Sequence, residues 1–280
     1  MKHLTMNDIT ITSKFWQNYR HLISDTVLPY QWSVMNDEAD VKLAGAMGTL
    51  AHSKNSHVIE NLKIAAGLSE GNFSGYPFQD TDAYKWLEAA AYTLNYQDND
   101  ELRLITDELI NLLSEAQEDD GYLVSYFQIE APERRFMRLQ QSHEHYTMGH
   151  YIEAGVAYYQ VTGNPKALDI AIRMADCIAN NFGEAEGKID GYDGHPEIEI
   201  ALARLYEVTQ KESYKELLEY FVYRRGHLPT FFDDQIQADG FERDMINGMN
   251  TFPASYFQAD VPLLERETLE GHAVRVVYSY

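Results

Sequence analysis

Three segments of this chain repeat one layout: an apolar helical run that ends in an aromatic residue, a short polar turn, and a second amphipathic run. They centre on Tyr92-Thr93-Leu94-Asn95, Tyr159-Gln160-Val161-Thr162-Gly163-Asn164-Pro165 and Tyr206-Glu207-Val208-Thr209-Gln210-Lys211. Taking Leu94, Val161 and Val208 as equivalent, the repeats lie 67 and 47 residues apart. That spacing suits helical hairpins with insertions of variable length rather than a solenoid of fixed period. Asn164-Pro165 adds a start signal, a capping side chain followed by proline in the first helical position.

Apolar residues recur at helical spacing through most of the sequence, which predicts helices over 14–35, 56–67, 81–96, 100–117, 145–162, 165–181, 195–208, 211–224 and from about 270 to the end. Alternation of the β type is confined to Ile9–Thr12 and Tyr122–Phe127. Leu228–Glu265, with three prolines, Gly240, Gly248, Asp233-Asp234 and Asn247, reads as a long irregular connection of the kind that covers a site. The first helix of each hairpin is rich in small or aliphatic residues (Ala89-Ala90-Ala91, Ala154-Gly155-Val156-Ala157, Ile198–Leu205), and the second carries more charge. Small residues permit tight inner packing and charge suits an outer, solvated ring. The expected fold is all-α: an (α/α)6 barrel over residues 1–280 as one domain, incomplete at its C-terminal side.

Charge and cysteine content narrow the function. With 44 acidic against 22 basic residues the net charge is -22, which repels phosphate backbones and anionic lipid, so neither nucleic acid nor membrane is an expected partner. A neutral sugar meets no such barrier. Met1–Trp16 contains no apolar signal core, and no run approaches the roughly eighteen apolar residues of a spanning helix, so the expected location is cytoplasmic. The single cysteine, Cys177, falls in a helical apolar pattern with Ile172, Ala175 and Ile178 and reads as a buried, inert thiol.

In a ring of hairpins the inner helices open their N-terminal ends toward one face, where free N–H groups and the positive dipole end gather. Counting back from each turn marker gives Asp82 at 12 residues, His150 at 11 and His195 at 13, a common depth of about 16–20 Å at the helical rise. The polar groups expected to share a pocket are Asp80, Asp82, His143, His150, His195 and His272. Helix capping is the competing role for Asp80 and Asp82. His143, His145 and His150 lack the spacing of a zinc-binding helix motif, so no metal is assigned to them. Trp86 and most of the 20 tyrosines and 12 phenylalanines read as packing.

Four runs carry a family resemblance: Phe78-Gln79-Asp80-Thr81-Asp82-Ala83-Tyr84-Lys85-Trp86-Leu87-Glu88-Ala89; His143-Glu144-His145-Tyr146 with Gly149-His150-Tyr151-Ile152-Glu153-Ala154; Gly194-His195-Pro196-Glu197-Ile198-Glu199; and Glu270-Gly271-His272-Ala273-Val274-Arg275. In this order they resemble glycoside hydrolase family 127, the β-L-arabinofuranosidase family. The resemblance implies an (α/α)6 barrel followed by β-sandwich domains, and a retaining exo-hydrolase acting on terminal arabinofuranose. It also implies that His143, His195 and His272 hydrogen-bond the sugar. The family's cysteine nucleophile, its glutamate acid/base and a zinc held by cysteines and a glutamate are implied to lie after the matched stretch. By this reading the chain holds no catalytic pair and no metal of its own. Its open barrel edge would expose an apolar seam for a second copy or a partner chain. His145 stands where the family usually has an aliphatic residue, and Asp260 where a histidine is usual. Two other functions fit the same barrel: a sugar epimerase using His195 and His272 as a proton-transfer pair, and a non-catalytic sugar-binding module.

Overall fold

The computed structural model describes residues 8–39, 56–240, 245–246 and 248–279. Met1–Asn7, Asn247 and Tyr280, on which some of the expectations above fall, lie outside the described residues. The helices are α1 (Lys14–Leu22), α2 (Leu28–Met35), α3 (Val58–Ala65), α4 (Thr81–Leu94), α5 (Asp100–Ala116), α6 (Ser125–Glu130), α7 (Leu139–Ser142), α8 (Glu144–Thr162), α9 (Pro165–Asn181), α10 (Ile198–Thr209), α11 (Glu212–Arg224), α12 (Phe231–Asp239) and α13 (Ala273–Ser279). A wide helical turn over Ile23–Val27 joins α1 to α2, so the helix expected over 14–35 runs with one local widening. Among the described residues there is no β-strand, and a single parallel bridge pairs Phe182 with Ile189.

The hairpins pack as expected. Helices α4, α8 and α10 lie side by side as an inner layer, with α2 against the free flank of α4. Behind them α5, α9 and α11 form the outer layer, each hairpin being an inner helix and the outer helix that follows it. Small residues set the spacing between layers. At Gly155 of α8 a Cβ would lie 2.7 Å from the Ala167 carbonyl oxygen of α9, closer than any real side chain comes. Leu109, Ile110, Leu113, Ile170, Met174 and Ile178 are buried between the layers, and each such side chain contributes about 1.5–3 kcal/mol by leaving water. The caps follow the sequence signals: the Asn164 side chain accepts the Lys166 N–H, and that of Asn99 accepts the Leu102 N–H.

Two local expectations fail. Tyr122–Phe127 forms no strand. Tyr122, Leu123, Val124 and Ser125 are all buried, so the alternation does not separate two faces, and Ser125 opens the short helix α6. Within Leu228–Glu265 the chain forms helix α12 and three single turns of 3-10 helix. Helix α12 is anchored to the preceding part of the chain. Asp239 of α12 pairs with Arg134 and with buried Arg138. The Gln235 side chain accepts the Leu139 N–H and donates to the Phe136 carbonyl. Large apolar side chains are exposed at Phe15, Trp16, Tyr19 and Leu22 along α1, and at Val274 and Val277 on α13.

Candidate functional site

The site is centred on Tyr146, one turn into α8. Its ring centroid lies 5.4 Å from that of His143, 4.5 Å from His150 and 4.5 Å from His195. Its hydroxyl accepts the Lys85 ammonium of α4 at 2.6 Å. The imidazoles of His143 and His195 are 6.0 Å apart, and those of His195 and His272 6.1 Å. Tyr278 of α13 approaches His195 at 5.2 Å. Rings from three separate stretches of sequence therefore meet in one cluster. Phe78 closes its side at 4.7 Å from His143 and stacks on Tyr76.

Local backbone explains how each ring gets there. His143 has φ 55°, a left-handed conformation that breaks the chain between α7 and α8 and turns its side chain back over Gln141. His143 Nδ1 lies 2.7 Å from the Gln141 carbonyl oxygen. A carbonyl only accepts, so Nδ1 carries the hydrogen and Nε2 presents a lone pair. Burial, with Arg275 adding to it, lowers the His143 pKa to about 3, and the ring is neutral at pH 7. Burial and Arg275 also lower that of His195, and of His272 more modestly.

The His195 loop is held by buried polar groups the sequence did not single out. Asp193 accepts the His195 N–H at 2.8 Å on one oxygen and the His145 N–H at 3.1 Å on the other. Arg275 Nε donates to the Gly194 carbonyl at 2.7 Å, and Arg225 donates to the carbonyls of Asp193 and Phe257 and to Glu199. A Cβ at Gly194 would sit 2.4 Å from the Gln140 carbonyl oxygen, so glycine is what lets this loop pass against α7. Tyr146 had a signal in the sequence, three residues after His143 and four before His150 on one helical face. Asp193, Arg225 and Arg275 had none short of the folded packing.

The other expected residues are dispersed. His150 lies one turn deeper, its Nδ1 3.1 Å from Glu197 Oε1. Asp80 is fully buried and both its oxygens are taken by the N–H and hydroxyl of Ser125, so it neither caps α4 nor faces the cluster. Asp82 lines a neighbouring cavity of about 430 Å³ with Lys85, Trp86, Tyr30, Met35 and Ser56. Lys85, which lines the same cavity as Asp82, bonds Tyr146, whose ring meets those of His150 and His195. His145 points outward into the core, 4.3 Å from Phe182 and 5.1 Å from Phe221. Asp260 pairs with Arg266. Trp86 is core, stacked near Trp32 and donating to the Leu28 carbonyl.

The sequence profile of the beta-L-arabinofuranosidase GH127 catalytic domain matches residues 8–280. The chain belongs to glycoside hydrolase family 127. It is 49% identical over 277 residues to a non-reducing end beta-L-arabinofuranosidase of Bifidobacterium longum subsp. longum, covering 97% of this chain and 42% of that protein. It superposes with a TM-score of 0.87 on Ara127N-Se, a GH127 beta-L-arabinofuranosidase from Geobacillus stearothermophilus T6, at 43% identity over 97% of this chain and 40% of the other. A second GH127 structure, the beta-arabinofuranosidase BT3674, matches with a TM-score of 0.78 at 28% identity, over 98% of this chain and 38% of that one. The chain thus spans about two fifths of the length of these GH127 relatives.

The zinc that the family resemblance implies calls for several cysteines, and this chain has one. Cys177 is buried on outer helix α9 beside Arg135 and Asn181, and burial pushes its pKa up to about 12. Its surroundings fit neither a thiolate ligand nor a thiolate nucleophile. A different set, His150, Glu153 and Glu197, brings three ligand atoms within 4.8 Å of one another. Among the described residues no helix is long and apolar enough to cross a membrane.

Proposed function

We propose that this chain supplies the sugar-recognition part of a GH127 catalytic barrel, binding terminal β-L-arabinofuranosyl residues through His143, His195 and His272. Residues 1–280 act as one unit in this reading. The observation that carries it is the row of three imidazoles, with His143 and His195 against Tyr146 and His272 against His195. A neutral imidazole that offers a lone pair accepts a hydrogen bond from a sugar hydroxyl, and the stacked faces of Tyr76 and Phe78 suit the apolar face of a furanose. Asp82 and His150 belong to the surroundings of that row, and Asp80 to its support.

The catalytic nucleophile and acid/base are, in this proposal, supplied by residues outside these 280. The one cysteine is buried and unreactive, which supports that assignment. The exposed apolar side chains of α1 and α13 support a further one, that more barrel helices or a second chain cover this edge. Burial and Arg275 lower the basicity of His195 and of His272, which makes both rings weaker general bases and weighs against the epimerase reading. Calorimetric titration of methyl β-L-arabinofuranoside into the chain tests the proposal. Saturable binding that His195→Ala removes is expected, together with no turnover of an aryl β-L-arabinofuranoside. Absence of binding, or hydrolysis by the isolated chain, overturns it.

A further inference from the structure

Beneath the histidine row is a second group of buried polar side chains that sugar recognition does not use. His150 and Glu153 lie three residues apart on one face of α8, and Glu197 stands at the first turn of α10. Gly149 makes the approach: a Cβ there would sit 2.9 Å from Glu197 Cγ, so only a bare α-carbon lets the start of α10 come this close. His150 Nδ1 is 3.1 Å from Glu197 Oε1 and 4.0 Å from Glu153 Oε2. Glu197 is fully buried; its Oε1 meets His150 as an ion pair without hydrogen-bond alignment, and it also faces the carboxyl of Glu153. A buried carboxyl with no well-aligned donor is costly in the native state, and a bound cation relieves that cost.

We propose that His150, Glu153 and Glu197 bind one divalent transition-metal ion of the zinc class, which pins α8 to α10 below the histidine row. A cation about 2.0–2.2 Å from each donor sets neighbouring donors roughly 3–3.5 Å apart. The observed separations need only small side-chain rotations to reach that range. An imidazole nitrogen with two carboxylate oxygens selects zinc-like ions over magnesium or calcium, which take oxygen sets. Arg204 Nε already holds Glu153 Oε1 at 2.8 Å, which leaves Oε2, the oxygen turned toward His150, for the ion. Arg204 in turn pairs with Glu88; Arg204 favours the charged form of Glu153 and Lys85 that of Glu197, against the larger opposing effect of burial. Burial and the facing Glu153 raise the pKa of Glu197, and the same site empty of metal would hold a proton between the two carboxyls. This site is independent of the sugar proposal and shares no donor with the cysteine-bound zinc implied for the family.

The test is titration of metal-free chain with zinc chloride at pH 7 by calorimetry, in two buffers of different ionisation heat. One equivalent is expected, with net proton release, weakened at least about tenfold by Glu197→Gln. Wild-type zinc binding should also raise the melting temperature, reversed by a chelator; this readout stands even if a variant fails to fold. No binding to the wild type, no stabilisation by zinc, or equal affinity in Glu197→Gln and His150→Ala would each overturn the site and leave the shared proton as its occupant.

Discussion

His143 and His195, borne on different hairpins, hold their rings 6.0 Å apart with Tyr146 touching both. Neither position is adjustable by rotamer alone. His143 is set by a left-handed backbone and the Gln141 carbonyl, His195 by Asp193 and by the close pass of Gly194 against α7. The recognition surface is therefore only as good as the loop packing behind it, and that packing can be perturbed separately.

Gly194→Ala tests that support. The new methyl would lie 2.4 Å from the Gln140 carbonyl oxygen, and backbone cannot retreat as a flexible side chain does. A loss of about 1–3 kcal/mol in urea denaturation is expected, with sugar affinity falling as the His195 loop shifts. An unchanged midpoint would show that the loop has slack.

Asp80→Ala separates support from recognition. It strips the N–H and hydroxyl of buried Ser125 of their acceptor, a loss of about 2–4 kcal/mol. Sugar affinity measured below the melting range should stay within about twofold. A large loss of affinity in a folded variant would return Asp80 to the site.

His145→Leu should stabilise the protein and flatten its acid limb. Both ring nitrogens of His145 are buried without partners, and its pKa is lowered to about 3 by burial, then by Arg225. In the unfolded chain the ring titrates near about 6.5. Between these values the unfolded state binds the extra proton, so stability rises with pH over that window and is lost as pH falls. Asp193 and Glu144, raised to about 7, act in the opposite sense and remain in both proteins. Melting temperatures at pH 7 and pH 5 should thus differ less in the leucine variant than in the wild type.

The limits of the sequence show in these same residues. Helices α4, α5, α8, α9, α10 and α11 were legible because apolar spacing, Asn164-Pro165 and the repeated turns are all local signals. Helix α12 was not, because nine residues between Pro229 and Gly240 give too short a period, and its stability comes from Asp239 and Gln235 docking on the 132–142 segment. The β-type alternation over Tyr122–Phe127 misleads because it looks the same whether one face or both are buried. The His143, His195 and His272 group followed from hairpin logic and family resemblance. Tyr146 at its centre had a local signal in its helical spacing from His143 and His150, whereas the meeting of His150 with Glu197 depends on how α8 and α10 cross at Gly149, which no local pattern encodes.

Tyr146→Ala addresses that centre directly. Removing the ring takes away its contacts with His143, His150 and His195 and leaves Lys85 without its hydroxyl partner. Methyl β-L-arabinofuranoside should bind about tenfold or more weakly, roughly the 1.4 kcal/mol that such a factor represents. Tyr146→Phe, which keeps the ring, should retain most of the affinity.

Histidine-ring NMR shifts, followed as methyl β-L-arabinofuranoside is added, probe the histidine cluster most directly. The signals of His143, His195 and His272 should move together along one saturation curve while those of His145, buried among Phe182 and Phe221, stay fixed. Shifts confined to a single ring, or none at a concentration that saturates a native GH127 enzyme, would contradict the account.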